Sequence, residues 1–256
     1  MNIELLTLSE IESVEGEKGN FTVTVKKNPR FIDEEKCIAC GLCAEKCPRK
    51  IDDEYNEGLN KRKAAYIKYG QTVPLKYAID AENCIYQTRG KCGVCQKVCP
   101  TGAIDHDMKA EYVSLNVGAV VLSPGFKPFS PKGIDHYGYD EIPDVITSLE
   151  YERMLSASGP YMGHLKRLSD GSEPKKIAWI QCVGSRNTNC SDNGHCSSVC
   201  CMYAIKQAVM TRSHIEGDGG EQAIFYMDMR TYGKEYERYF EKRSEEHTSE
   251  LQSLLI

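Results

Sequence analysis

Eight of the thirteen cysteines form two similar runs in the first half of the chain. The first run has the spacing Cys-x2-Cys-x2-Cys-x3-Cys-Pro, and the second repeats it with a longer first gap. This spacing is typical of proteins that hold two [4Fe-4S] clusters, because an iron-sulfur cube presents its irons close together to closely spaced thiolates. Gly41 and Gly93 allow tight backbone turns within the runs. The runs are Cys37, Cys40, Cys43 and Cys47, then Cys84, Cys92, Cys95 and Cys99.

In such runs three cysteines bind one cluster and the fourth binds the other. The first cluster is therefore assigned Cys37, Cys40, Cys43 and Cys99. The second is assigned Cys84, Cys92, Cys95 and Cys47. Structural zinc is an alternative for Cys-x2-Cys pairs, but it needs only four ligands with a longer stretch between the pairs. Disulfides are disfavoured, since an odd cysteine count at close spacings indicates metal ligation in a reducing compartment.

A second cysteine group lies further along the chain. Cys196 and Cys200 are four residues apart and would share one face of a helix, with Cys201 about 100° around the same turn. The start of such a helix favours an anionic cluster, because free amides and the positive dipole end point at it. A third cluster at Cys182, Cys196, Cys200 and Cys201 is one interpretation, and buried core cysteines are the other. Cys190, in a polar loop, is expected to bind nothing, and a role for His195 as ligand would be the less common case.

Alternating sequences on both sides of the first cysteine group predict one interrupted sheet. Residues 21–26 alternate Phe-Thr-Val-Thr-Val-Lys, and residues 112–117 alternate again before an apolar run, 118–122, suited to a central strand. Hairpin loops usually have about 2–5 residues, so the long segment between these strands needs its own stabilisation. Residues from about 31 to 108 are therefore predicted to be an inserted domain.

The second half of the chain predicts a parallel α/β layer. A helix over 148–157 should begin at a cap, Ser148. Strands over 177–181 and 223–227 flank a helix over 196–212, and strand, helix, strand is the order of a parallel crossover. Residues 243–253 are polar and resemble the translation of a sequencing adapter, with a solvated charged tail as the alternative.

Composition excludes several classes of protein. The formal net charge is -5 and no block of Lys and Arg stands out, so nucleic acid is not expected as a partner. No apolar run approaches the roughly 18 residues of a membrane span, and the first residues do not form a leader, so we expect no transmembrane segment and a cytoplasmic protein. No Gly-x-Gly-x-x-Gly follows a predicted strand, and no triad or zinc-protease spacing occurs.

Four sequence strings together resemble the A subunit of heterodisulfide reductase, a flavin and iron-sulfur protein of methanogens and other anaerobes. The resemblance covers residues 2–242. It implies an α/β fold, in which a thioredoxin-reductase-like FAD-domain portion is interrupted by an inserted α+β 2x[4Fe-4S] ferredoxin-like module. The strings are Asp33-Glu-Glu-Lys-Cys37, Lys91-Cys-Gly-Val-Cys-Gln-Lys-Val-Cys-Pro100, Ile180-Gln-Cys-Val-Gly-Ser-Arg186 and Cys200-Cys-Met-Tyr-Ala-Ile-Lys206.

The resemblance implies a division of the chain into four parts. Residues 1–30 would be partial FAD-domain strands and 31–108 the ferredoxin-like module. Residues 109–242 would be the remaining nucleotide-type α/β domain with a third cluster at Cys182, Cys196, Cys200 and Cys201, and 243–256 an artefactual tail. Met1 aligns inside the flavin domain, and the family sequence would continue beyond Lys242 in place of the adapter-like tail, so the chain is expected to be a fragment truncated at both ends.

The resemblance also nominates flavin contacts. Residues 117–126 correspond to the strand and turn that approach the flavin in the family, which implies cofactor binding by Gly118, Ser123 and Gly125. Ser123-Pro124 replaces the family's Ala-Thr, whereas Gly125 is retained. FAD is expected in the full-length protein, and the chain as written is expected not to hold it tightly, because the phosphate-binding glycines would precede Met1.

The implied function is that of an electron-transfer subunit of an oxidoreductase, which relays electrons between FAD and iron-sulfur clusters of partner subunits. The implied partners are B- and C-type subunits and a hydrogenase or another electron donor. No side chain is assigned a catalytic role, because the cofactors carry the chemistry, and the fragment alone is expected to be inactive. The alternatives are a ferredoxin-like electron carrier without enzyme activity, and the related membrane-linked electron-transfer complex of sulfate reducers.

Overall fold

The computed structural model describes residues 3–188, 193–215 and 220–246. These residues form a mixed α/β structure with two units, Met1–Gly125 and Phe126–Ile256. The strands are β1 (Ser9–Glu17), β2 (Asn20–Lys27), β3 (Lys50–Asp52), β4 (Lys61–Lys63), β5 (Ala65–Tyr66), β6 (Ala78–Ile79), β7 (Glu111–Val117), β8 (Lys176–Ile180) and β9 (Glu221–Phe225). The α-helices are α1 (Leu42–Glu45), α2 (Ile85–Arg89), α3 (Val94–Val98), α4 (Ser148–Leu155), α5 (Cys200–Ile215) and α6 (Tyr236–Glu246).

In the first unit β1, β2 and β7 form an antiparallel sheet with β2 in the centre. Phe21 pairs with Val117 at one end of the β2–β7 ladder, and Lys27 pairs with Glu111 at the other. Val23 and Val25 are buried on one face of β2, as the period-2 pattern requires. The expectation that these two alternating stretches share a sheet is confirmed.

The apolar run 118–122 was expected to continue this strand, and that prediction is wrong. β7 ends at Val117, and the side chains of Val121 and Leu122 are 87% and 74% exposed. The reason lies in the partner strand. The chain turns from β1 into β2 just before Asn20, so β2 does not extend further in this direction. The ladder therefore has no further partner residues beyond Val117 on this side.

The segment between β2 and β7 contains two small hairpins, β3–β4 and β5–β6, and the short helices α1, α2 and α3. Its buried core is small and contains three of the cysteines themselves. The core comprises Phe31, Ile32, Cys37, Cys43, Ala64, Ala65, Ile79, Cys84, Ala103 and Ile104.

A half-buried ion-pair network holds the segment together. The guanidinium of Arg62 donates hydrogen bonds to the carboxylates of Glu54 and Asp80 and lies 4.1 Å from the ring centroid of Tyr66. Asp80 also accepts from the backbone N–H of Asn83. Partial burial opposes the charge of Asp80, but the hydrogen bonds from Arg62 and Asn83 hold its pKa below the ordinary value. The network therefore fixes the turn that leads into Cys84.

In the second unit β8 and β9 pair in parallel, with α5 between them in the chain. The predicted parallel crossover is confirmed. Helix α4 begins one residue earlier than predicted from Ser148, because Thr147 is the N-cap: its hydroxyl accepts from the N–H of Glu150, whose carboxylate accepts from the N–H of Thr147. This reciprocal arrangement is a capping box.

Helix α6 continues to Glu246, past the start of the tail predicted at residue 243. Residues 247–256 lie outside the described part of the chain. Among the residues that the structure describes, no helix has the length and apolar character needed to cross a membrane.

Candidate metal centres

Four cysteines from the two runs line one cavity in the first unit. The cavity is open to solvent on one side, has about 310 Å³ of empty space when this open part is included, and is lined by the thiols of Cys37, Cys40, Cys43 and Cys99. Cys43 lies on α1, which begins after Gly41 at φ 81, and Cys99 follows the end of α3. The positive φ at Gly41 makes the tight turn that the sequence predicts.

The other four cysteines line a second cavity of about 340 Å³: Cys47, Cys84, Cys92 and Cys95. Cys84 is the N-cap residue of α2, and Cys95 lies on α3. The start of α3 repeats that of α1, since its N-cap Gly93 has φ 70. The two helix starts therefore present their cysteines in the same way.

The thiols at each cavity fit a cubane cluster. Each cavity combines three cysteines of one run with the fourth of the other, which is the arrangement of two-cluster ferredoxins. A structural zinc ion takes four ligands and is usually bound by cysteine pairs with a longer stretch between them, whereas eight cysteines in two interleaved runs line this pair of cavities. All twelve cysteines in those ranges are free thiols.

Burial of the thiols sets their protonation in the metal-free state. Burial raises the pKa of Cys43 to about 12 and that of Cys95 to about 11, with smaller contributions from neighbouring thiols. For Cys99, slight burial is outweighed by hydrogen bonds from Thr101 and from the N–H of Ala103, and the pKa is lowered. Because metals bind thiolates, a metal held by these groups would displace their protons.

Several residues that contact the ligand sulfurs were not predicted from the sequence. The N–H of Ala103 donates to Cys99 Sγ at 3.3 Å, and the hydroxyl of Thr101 lies 3.6 Å from the same sulfur. In the second cavity His106 Nε2 lies 3.6 Å from Cys95 Sγ. Cysteine spacing carries no signal for these residues, because they contact sulfur only once the segment has folded.

The third cysteine group surrounds the end of β8 and the start of α5. Cys200 and Cys201 are the first residues of α5, and Cys182 follows β8 with φ 61. Cys196 lies outside the helix, so the prediction that it shares a helical face with Cys200 is wrong. Ser198, at φ 62, interrupts the helical backbone between them, and its N–H donates to Cys196 Sγ at 3.3 Å.

Hydrogen bonds and electrostatics show that the thiols of this group are close together. The side-chain amide of Gln181 donates to the carbonyl of Cys200 at 3.2 Å, which ties the end of β8 to α5. A hydrogen bond between the two thiols lowers the pKa of Cys200 and raises that of Cys201. Burial raises the pKa of Cys182, and the nearby thiols of Cys200 and Cys196 add to the effect.

The third cysteine group has both buried and exposed residues around it. Cys201 is buried, and its Sγ accepts from the N–H of Arg230 at 3.4 Å. His195 is exposed, and its carbonyl accepts from the N–H of Arg186. Cys190, expected to bind nothing, lies outside the described residues.

The nominated flavin contacts Gly118, Ser123 and Gly125 lie on an exposed stretch after β7. None of them lines either cysteine cavity. Gly125 has φ 75, and a Cβ added there would meet nothing within 4 Å. The backbone on this stretch is therefore open to an approaching group.

Comparison with known proteins supports an iron-sulfur domain in the first unit. Residues 36–103 match the family model of a 4Fe-4S dicluster domain. Over 96% of its length the chain is 43% identical to the A-type iron-sulfur subunit of the CoB-CoM heterodisulfide reductase of Methanocaldococcus jannaschii. The resemblance to the A subunit of heterodisulfide reductase is confirmed.

Two further A subunits show the same similarity. The chain is 42% identical, over 96% of its length, to the A-type subunit of the H(2):CoB-CoM heterodisulfide,ferredoxin reductase of Methanothermobacter marburgensis. It is 40% identical, over 93%, to the A-type subunit of the ferredoxin:CoB-CoM heterodisulfide reductase of Methanosarcina mazei. The chain spans 36% of the length of the first two A subunits and 29% of the third.

Proposed function

We propose that this chain is the electron-transferring part of a heterodisulfide-reductase-like oxidoreductase and relays electrons between FAD and the iron-sulfur clusters of partner subunits. The observation that carries the proposal is the pair of cavities, each lined by four thiols drawn from both cysteine runs. Bound [4Fe-4S] clusters supply one-electron redox chemistry over a wide range of potentials. The similar proteins are named as A subunits of reductases that act on the CoB-CoM heterodisulfide.

The fold supports passage of electrons between the two centres. Helices α1 and α3 pack against each other, and each carries a ligand of its own centre, Cys43 or Cys95. The Cys95 thiol contributes to the raised pKa of Cys43, so the two centres are neighbours. Cys40 and Cys92 are the exposed ligands, one in each centre. Electrons would enter and leave on these exposed sides.

The proposal also includes a third cluster, FAD contacts and partner subunits. The third cysteine group would hold a further [4Fe-4S] cluster, and Gly118, Ser123 and Gly125 would line FAD in a longer protein. The B- and C-type subunits would receive electrons, and a hydrogenase or another donor would supply them. The names of the relatives mention H(2) and ferredoxin, which supports donors of that kind.

The pairing of ligands gives a direct test of the two centres. After anaerobic reconstitution we expect about 8 irons in the dicluster domain. Cys43→Ser and Cys99→Ser should perturb the same cluster signal in electron paramagnetic resonance (EPR), although they lie in different runs. Cys47→Ser and Cys95→Ser should perturb the other. Stoichiometric zinc without sulfide, or Cys99→Ser acting on the Cys95 signal, would contradict the proposal.

The third centre is tested separately by iron content. The complete chain should contain about 12 irons, and Cys200→Ser should remove roughly a third of them while the paired-cluster signal remains. Cys190→Ser is the matched control and should leave the iron content unchanged. If Cys200→Ser and the parent contain equal iron, the group consists of core cysteines.

A further inference from the structure

His106 is a buried side chain beside the second metal centre. Its exposed fraction is 8%, and its ring stacks on Tyr86 with centroids 4.0 Å apart and planes inclined by 19°. Ring atom Nε2 points at Cys95 Sγ at a distance of 3.6 Å. The backbone on either side is held by hydrogen bonds, since the N–H of Asp105 donates to the carbonyl of Phe31 at 3.1 Å and the Asp105 carboxylate accepts from the N–H of Asp107.

Gln87 determines which nitrogen of this ring carries the proton. Its side-chain nitrogen Nε2 donates to the backbone carbonyl of His106 at 3.0 Å, which fixes the orientation of the amide because a carbonyl only accepts. The same amide nitrogen lies 3.4 Å from His106 Nδ1. An amide nitrogen has two hydrogens and no acceptor, so in a hydrogen bond between these two atoms Nδ1 is the acceptor. In the neutral ring the proton is then on Nε2, which faces the sulfur.

We propose that His106 is a positioning residue that donates a hydrogen bond from Nε2–H to the thiolate of Cys95 and raises the reduction potential of the cluster held there. The inference rests on the proposed function of the cavity as a cluster site. Reduction adds one electron, supplied by a donor, and places more negative charge on the cluster and its ligand sulfurs. A hydrogen bond to sulfur therefore stabilises the reduced state more than the oxidised one. The proton remains on Nε2, and no bond is broken.

The first centre has different donors to sulfur and supplies the matched control. Cys99 Sγ accepts a hydrogen bond from the N–H of Ala103 and lies beside the hydroxyl of Thr101. When the sulfur is a thiolate, that hydroxyl must be the donor. Thr101→Val removes that donor with little change in volume. His106 and Thr101 should thus act on different clusters.

The experiment is a redox titration of the reconstituted full chain followed by EPR. His106→Phe keeps the ring that stacks on Tyr86 but has no donor. We expect about a tenfold fall in the equilibrium constant for reduction of the second cluster, about 59 mV for a one-electron couple. His106→Gln restores an amide donor at the place of Nε2 and should return the potential toward that of the parent. Thr101→Val should lower the potential of the first cluster only.

A second measurement starts from the parent protein and needs a variant only to assign the signal. In protein labelled with ¹⁵N-histidine, pulsed EPR of the reduced parent should show a weak nitrogen coupling to the second cluster. His106→Gln should lose this coupling, which excludes an origin at His195.

These outcomes separate this inference from the proposed function. If the parent binds no iron and sulfide, the cluster assignment itself is wrong. If the parent is fully loaded and His106→Phe, equally loaded, keeps both potentials, or if the labelled parent shows no nitrogen coupling, the role of His106 is overturned.

Discussion

Gly184 shows how closely the side chains pack around the third cysteine group. It lies in the loop after Cys182 at φ 74, and a Cβ added there would overlap the ring of Phe129. Its carbonyl also accepts from the side chain of Asn193 at 3.1 Å, on the far side of the same loop. Only glycine combines this backbone conformation with the contact to an aromatic ring.

We predict that Gly184→Ala disrupts the third centre. The left-handed backbone alone costs about 1–2 kcal/mol for a residue with a Cβ, and the overlap must in addition displace either the Phe129 ring or the loop that carries Cys182. Iron content should fall toward that of Cys200→Ser. Iron analysis and EPR after anaerobic reconstitution measure the effect.

Gly171 is the matched control, because it has φ 73 in the same unit and a Cβ there would meet nothing within 4 Å. Gly171→Ala should cost stability through its backbone conformation but keep all the iron. Equal iron loss in both variants would show that backbone strain alone, and not the contact with Phe129, accounts for the effect.

The sequence predicted the cysteines but not their surroundings. The doubled spacing of the runs predicts which cysteines share a centre, because a cubane imposes that spacing locally, and the same two sets of four line the two cavities. His106, Gln87 and Thr101 contact the ligands through folding of the whole segment, and Gln87 falls in the long first gap of the second run. No single-sequence pattern marks such contacts, since donors to sulfur have no fixed spacing from it.

At the scale of elements, α4, β8 and α5 meet around one buried polar network. The hydroxyl of Tyr151 on α4 bonds to that of Thr211 on α5 at 2.5 Å, and Thr211 in turn donates to the carbonyl of Gln207. The indole of Trp179 on β8 donates to the side chain of Gln207 at 3.2 Å and meets the Tyr151 ring edge to face at 5.7 Å. Burial raises the pKa of Tyr151 to about 12.

This burial predicts a loss of stability in alkali. A raised pKa means that the folded state holds the phenol proton more tightly than the unfolded state, whose tyrosine pKa is about 10. The stabilisation is therefore complete below about pH 10 and is lost as the pH rises toward about 12. Between about pH 9 and 11.5 the free energy of unfolding should fall by about 2 kcal/mol because of this group.

Trp179 is the only tryptophan of the chain, so its fluorescence in urea titrations reports on this network. Tyr151→Phe should abolish the alkaline loss attributed to the phenol, at the cost of the hydrogen bond to Thr211. Tyr232→Phe removes an exposed phenol and should behave as the parent does. An unchanged alkaline loss in Tyr151→Phe would show that other groups cause it.

Sequence periodicity predicted strands correctly where a neighbouring strand pairs with them. It was wrong where no neighbouring strand is present. The strands near 177–181 and 223–227 and their parallel order were correct, because each is part of a local crossover. The run 118–122 is as apolar as a buried strand, but the β2–β7 ladder ends at Val117 and leaves it unpaired. Helical spacing from 196 was interrupted by the positive φ of Ser198, a conformation that sequence alone did not indicate.

At the scale of the molecule, every proposed cluster has all its ligands within one unit. The eight ferredoxin-type cysteines belong to Met1–Gly125, and the four of the third group belong to Phe126–Ile256. The finer boundaries at 30, 108 and 242 stay predictions. The flavin contacts are likewise a prediction, and they concern a longer protein.

We predict that the two units can be loaded independently. Expressed separately and reconstituted, residues 1–125 should hold about 8 irons and residues 126–256 about 4. Iron and sulfide per polypeptide measure this. A division at residue 70 is the control, because it separates Cys47 from Cys84 and should abolish both ferredoxin-type centres. Loss of iron from the 1–125 piece would indicate that its clusters need the second unit.

From the pairing of Lys27 with Glu111 we predict that cluster assembly affects the speed of folding. These residues lie opposite each other in the ladder although the whole ferredoxin-like segment separates them in the chain. Before that segment folds, closing the ladder must overcome the loop entropy of a long flexible chain. Once iron and sulfide have ordered the segment, its two ends are held side by side and β7 can add to β2 almost as a hairpin would. The clusters would thus lower the entropic cost of closing the sheet without contacting it. Refolding of the sheet should be faster in chains whose clusters are already in place.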